Sequence, residues 1–147
     1  MSKYCYAKIS IGGQLLETEV AGLSEAFEQD DVTLLDIDIW QHNQTTPLRV
    51  DEEDVYYGVF KNVEAFCTAQ GLSYLRQSAE VAGYSGEIVT NIPNRIDRVI
   101  RLDYGDDQPI IRATTLKELV AKRVPLREIL ASLEVPEVPP LKIAKVR

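Results

Sequence analysis

Residues Tyr4-Cys5-Tyr6-Ala7-Lys8-Ile9-Ser10-Ile11-Gly12-Gly13 decide the class of fold. Cys5, Ala7, Ile9 and Ile11 alternate with Tyr4, Tyr6, Lys8 and Ser10, the period of two that puts one apolar row on one face of a strand. Gly12-Gly13 is expected to end it. Working outward, Leu16, Val20, Leu23 and Phe27 recur at helical spacing with Glu17, Glu19, Glu25 and Glu28 on the other faces, so Leu15 to Gln29 is predicted as an amphipathic helix. After Asp30-Asp31, the stretch Val32 to Trp40 alternates again, Leu35, Ile37 and Ile39 against Asp36, Asp38 and Trp40, and is predicted as a strand. The chain thus opens as β-α-β.

A second such unit is expected downstream. Gln41 to Asp54 is polar, contains Pro47 and is predicted as a long loop or a short helical turn. Val55 to Val59 follows as a short strand, a helix through Val63, Phe66 and Cys67 stops at Gly71, and Leu72 to Gln77 is the returning strand. A turn at Gly83 to Gly86 leads to a strand over Glu87 to Ile92. Arg98 to Asp103 and Gln108 to Ala113 then form a hairpin around Gly105. Thr115 and Glu118 have capping-box spacing for a helix to Arg123. Pro125 separates it from a second helix on Leu126, Ile129, Leu130 and Leu133. The predicted class is α+β: a mixed or antiparallel sheet with helices packed on one face, ferredoxin-like β-α-β units, short C-terminal helices and an extended tail. Residues 1–135 read as a single α+β domain and 136–147 as a proline-containing basic tail. That tail is either a surface extension or a strand added to the sheet edge through Leu141, Ile143 and Val146.

At 147 residues, with apolar and charged fractions close to the globular average, the chain can bury a core without disulfides or structural metal. Cys5 and Cys67 read as small core residues. No apolar run reaches the length of a signal peptide or a membrane span, so a cytoplasmic location and no membrane association are the expectation. The net charge of -7 argues against direct nucleic-acid binding. The charge is uneven: residues 1–107 hold 19 acids and 8 bases, residues 108–147 hold 4 acids and 8 bases.

Two functional readings survive this composition. On a strand, Asp36 and Asp38 share a face, as paired aspartates do when they hold a divalent metal for phosphoryl transfer. Together with Gly12-Gly13 the pair resembles the glycine-then-aspartate-pair pattern of nucleotidyltransferases. That resemblance implies a metal-dependent phosphoryl- or nucleotidyl-transfer enzyme with Asp36 and Asp38 as catalytic and metal-binding residues, although here 22 residues separate Gly13 from Asp36. The solvated face of a half-buried strand accounts for the same two residues more simply. His42 is the single histidine, the common phosphate, dinucleotide and nucleophile motifs are missing, and no cofactor is expected.

The leading expectation is a noncatalytic, acidic binding protein, an inhibitor, adaptor or regulator, that engages a protein partner of basic character. The candidate contact residues are the acidic run Asp51, Glu52, Glu53 and Asp54, the tyrosines Tyr56 and Tyr57, and the basic tail residues Lys142, Lys145 and Arg147. Phe60, Phe66, Tyr74 and Tyr84 extend the aromatic cluster, in which Phe60 and Phe66 are expected in the core and the tyrosines at its edge. A homo-oligomer formed through a sheet edge or the tail is also compatible with the pattern.

Overall fold

The computed structural model describes residues 2–95, 99–105 and 108–145. They form a mixed α+β fold in which one sheet runs in the order β2-β1-β3-β4-β5-β6 with every neighbour antiparallel. The strands are β1 (Tyr4–Leu16), β2 (Leu48–Tyr56), β3 (Ser73–Ser78), β4 (Gly86–Asn91), β5 (Val99–Gly105) and β6 (Gln108–Ile110). A seventh, β7 (Leu141–Ala144), pairs in parallel with the far end of β1 through Gly13 to Leu16. The helices are α1 (Val20–Gln29), α2 (Asp36–Trp40), α3 (Lys61–Gln70), α4 (Ala113–Ala121) and α5 (Leu126–Ser132).

The alternation that opens the chain sets the core. Ala7, Ile9 and Ile11 are fully buried and face α1 and α3, and their cross-strand partners on β3 and β4 share that face. The rungs read Ile11–Tyr74–Asn91, Ile9–Arg76–Val89 and Ala7–Ser78–Glu87. Leu23 and Phe27 of α1 and Val63 and Cys67 of α3 close the layer, with Phe27 and Phe60 meeting edge to face at 6.3 Å. Asp30, just past α1, ties the two helices together. Its carboxylate accepts the backbone N–H groups of Asn62 and Val63 at 2.9 to 3.0 Å, supplying from another element the cap that the α3 N-terminus lacks locally.

Several expectations are corrected. The segment Val32 to Trp40 is a loop followed by the one-turn helix α2. Only Val32 and Ile39 are buried there, while Leu35, Ile37 and Trp40 stay exposed, so the period of two never met a sheet. Leu35 N–H donates to Asp38 Oδ2 at 2.9 Å and the Ser24 hydroxyl bonds Asp36, two contacts that favour a helical turn. The place beside β1 is taken by β2, which covers the second half of the stretch read as loop and inserts Leu48 and Val55 into the core. Accordingly the ferredoxin-like β-α-β opening is replaced by a larger sheet. Gly12-Gly13 does not stop β1, the helix after it begins only at Val20, and α4 has Arg112 rather than Thr115 at its N-cap.

The other face of the sheet is not bare. Residues 135–138 cross it over Ser10 and Leu75, and the chain then enters β7. Here Gly12 is obligatory in the physical sense: a Cβ built on it would lie 1.7 Å from the Pro139 carbonyl oxygen. Leu141, fully buried, donates its N–H to Thr46 O, and Gly13 N–H donates to Pro140 O. Of the two readings of the tail, the added strand is the one present over Leu141–Ala144. Val146 lies outside the described residues. Among the described residues no helix is long and apolar enough to cross a membrane.

Candidate functional site

The N-terminal end of β1 and the C-terminal end of β2 place Tyr4 directly across from Tyr56. Their rings meet edge to face at 5.5 Å, Tyr56 meets Tyr57 at 4.8 Å, and Tyr57 meets Tyr84 at 6.2 Å. This row of four tyrosines is a surface feature, with Tyr56 55% and Tyr84 67% exposed, whereas Phe60 and Tyr74 belong to the core and Phe66 packs at its edge. Sequence reasoning found three members and missed Tyr4, whose role depends on the β1–β2 register.

Two tight turns present the last two rings. Tyr57 has φ +51° and Gly58 φ +70°, and Val59 N–H bonds Tyr56 O at 3.1 Å. Ala82 has φ +48° and Gly83 φ +83°, and Val81 and Tyr84 exchange both backbone hydrogen bonds. Positive φ at both central residues marks each as a mirror-image two-residue turn, in which Tyr57 and Ala82 stand where Asn or Gly is usual. A side chain of ordinary kind in that conformation costs about 1–2 kcal/mol. Gly58 has a second constraint, since a Cβ on it would come within 2.5 Å of Ser78 Cβ. The strained Tyr57 turn therefore packs against the end of β3, and the Ala82 turn lies in the connection that leaves that same end for β4.

Between them lies a cavity of about 380 Å³, lined among others by Tyr57, Ser78, Tyr84, Glu87, Asp103 and Arg112. The register explains its polarity. Ser78, Glu87 and Asp103 continue the Ala7 rung across β3, β4 and β5, on the helix-side face but beyond the core. The next rung holds two of these lining residues in place. Arg76, only 2% exposed, donates Nε to Glu64 Oε1 at 3.2 Å, and Nη1 to Ser78 Oγ at 3.2 Å and Glu87 Oε1 at 2.9 Å. Burial opposes the guanidinium charge, and Glu64 and Glu87 more than offset it. Burial also pushes the Glu64 carboxyl above its usual range, a shift that Arg76 only partly reverses. At the rim, Arg112 Nε donates to Asp103 Oδ2 at 3.1 Å and its Nη2 to Ser85 Oγ at 3.2 Å, while Arg101 lies 3.8 Å from Glu87 Oε2. Arg101 thus pairs with Glu87 and Asp103 with Arg112.

The sequence-predicted contact residues divide into two groups. Asp51, Glu52, Glu53 and Asp54 lie on β2, a strand whose one neighbour among the described residues is β1, and lead straight into the tyrosine row. Arg49 partly neutralises them through Asp51 at 3.0 Å. Lys142 lies on β7 and Lys145 just after it, both exposed, at the opposite end of β1 from Tyr4 and on the order of 30 Å away along the strand. Arg147 lies outside the described residues. The acidic and basic parts of the expected surface are therefore not one patch.

Asp36 and Asp38, expected side by side on a strand face, are two residues apart on α2, where that spacing turns them to different sides of the helix. No group of three or more His, Cys, Asp or Glu residues arranged to hold a metal occurs among the described residues. His42 bonds its own loop, Nε2 to Thr46 O at 2.7 Å. Cys67 is fully buried with its thiol pushed up to about 12 by burial, and burial also raises Cys5, so neither carries the thiolate a nucleophile needs. Comparison with protein-family models, curated proteins and solved structures finds no match to the chain.

Proposed function

We propose that this chain is a noncatalytic binding protein that takes an extended, basic segment of a protein partner along the β2 edge of its sheet. The observation that carries the reading is that β2 is an edge strand whose acidic run has Asp51, Glu53 and Asp54 exposed and Glu52 half-buried, and whose end delivers Tyr56 and Tyr57. An edge strand offers unpaired N–H and C=O groups for strand addition, acidic side chains favour a basic guest, and tyrosines supply apolar area with a polar tip. The same acids disfavour pairing of β2 with a second copy, because like charges would face each other across the new ladder.

The test uses a labelled extended peptide with Lys or Arg at alternate positions. Binding is measured by fluorescence anisotropy from low to high salt, with amide exchange of β2 as the second readout. The expected result is affinity that falls with salt, slowed exchange at β2, and loss of both in the Asp51→Asn, Glu52→Gln, Glu53→Gln, Asp54→Asn variant. Binding that survives neutralisation of all four acids would overturn the reading.

A further inference from the structure

We infer that the cavity between the Tyr57 and Tyr84 turns is a binding site for an organic cation, a guanidinium or primary ammonium group carried on a short apolar stem. The inference does not require strand addition at β2: Tyr57, which follows β2, is one wall, and the acceptors Ser78, Glu87 and Asp103 lie on β3, β4 and β5. Four observations converge on it. The volume of about 380 Å³ suits a small organic group. Its walls include two tyrosine rings, whose faces attract cations, and the apolar Ala79 and Val81, against which a stem can lie. Glu87 is held by the buried Arg76 through Oε1, while its Oε2 meets, among the described residues, Arg101 at the length of a loose ion pair. Finally, the lining already holds a guanidinium: Arg112, exposed and immediately before α4, rests on Asp103 and Ser85.

The charges around the cavity decide its sign. Arg76 is buried and directs Nε to Glu64 and Nη1 to Ser78 and Glu87. The Arg101 and Arg112 side chains are 65% and 61% exposed, whereas those of Glu87 and Asp103 are 34% and 38% exposed and stand opposite each other on β4 and β5. An anion would have to sit against those two carboxylates. A cation replaces Arg112 with a like group and keeps every acceptor satisfied.

The chemistry is shared by a free small amine and by a Lys or Arg side chain of another protein, and the experiment separates the two. The full chain is titrated with butylammonium, agmatine and Nα-acetyl-arginine methylamide, against butyrate and inorganic phosphate at matched ionic strength, following tyrosine ring resonances. Saturable shifts at Tyr57 and Tyr84 are expected with the cations alone. Tyr84→Ala and Asp103→Asn should each weaken binding about two- to fivefold, and Arg112→Ala should tighten it by removing the internal competitor. Binding of the capped arginine as tight as that of agmatine assigns the site to a protein side chain, and binding of the free amines alone assigns it to a small molecule. The inference is overturned if no cation saturates in either wild type or Arg112→Ala. Equal cation binding in Tyr84→Ala and Asp103→Asn overturns it as well, as does saturation by phosphate or butyrate. Failure here leaves the peptide experiment on β2 untouched.

Discussion

Arg76 is a full charge placed where water does not reach, and what surrounds it sets how the fold responds to pH and mutation. Its donors reach Glu64 on α3 and Glu87 on β4, so the guanidinium fastens a helix to two strands. Replacing it with Met removes a cation and leaves the Glu64 carboxylate buried without its counter-charge, which should cost about 3–5 kcal/mol, read as a lower urea midpoint. Glu64 behaves differently, because burial raises its pKa above the ordinary 4.5 in spite of Arg76. The folded protein holds that proton more tightly than the unfolded chain. Its contribution to stability is thus fully present below about pH 4.5 and is lost as pH rises through the raised value. Glu64→Gln mimics the protonated form and should exceed wild type in urea midpoint at pH 7, with the difference shrinking toward zero as pH falls below 4.5. A constant difference across that range would show that Glu64 titrates as it does in the unfolded chain. None of this was legible beforehand, since a lone Arg in a strand and a lone Glu in a helix meet only through register and packing.

At the scale of elements, the contrast between β1 and the Val32 to Trp40 segment shows what a period of two does and does not decide. Both alternate, but β1 has neighbours on both sides that bury Ala7, Ile9 and Ile11, whereas the later stretch has only Val32 and Ile39 buried and curls into α2. Alternation states which face would be apolar if a sheet were there; it does not supply the sheet. The β2 strand was hidden for the converse reason. An edge strand carries charge, and Asp51 to Asp54 has the composition of a loop although Asp51 and Glu52 pair with Lys8 and Ala7 of β1 and Glu53 and Asp54 sit at a shift of register within the same ladder. Strands β3 and β4, the hairpin around Gly105, the end of α3 at Gly71 and the helix on Leu126 to Leu133 were legible within a few residues, because their punctuation is local. Tertiary capping was not legible. Asp30 caps α3 from 32 residues away in the chain, and Asp30→Ala should cost about 1–2 kcal/mol by freeing the N–H groups of Asn62 and Val63. Amide exchange at those two positions should accelerate, and unchanged exchange would assign the cap no energetic role.

For the whole molecule, the uneven charge and the path of the last residues belong to one arrangement. The acidic β2 edge and the basic residues of β7 sit toward opposite ends of the long first strand, so the charge separation read along the chain becomes a separation in space. The C-terminal segment is what completes the enclosure. It crosses the second face over Ser10 and Leu75, passes Gly12 at a distance no side chain would allow, and inserts Leu141 beside the end of β1. Its proline-rich composition reads as a tail, yet one leucine in it is as buried as any residue of the first strand. Leu141→Ala should cost about 2–5 kcal/mol, since a fully enclosed leucine leaves a cavity behind. Deleting residues 136–147 should cost at least as much, because it also removes the β7 ladder and the bond from Leu141 N–H to Thr46 O. For a domain of this size, each kcal/mol lost corresponds to a fall of about 2–4 °C in melting temperature. Both variants should therefore melt well below the full chain, the deletion lowest. A deletion that melts with the full chain would mean that the enclosure of Leu141 contributes nothing to holding the fold together.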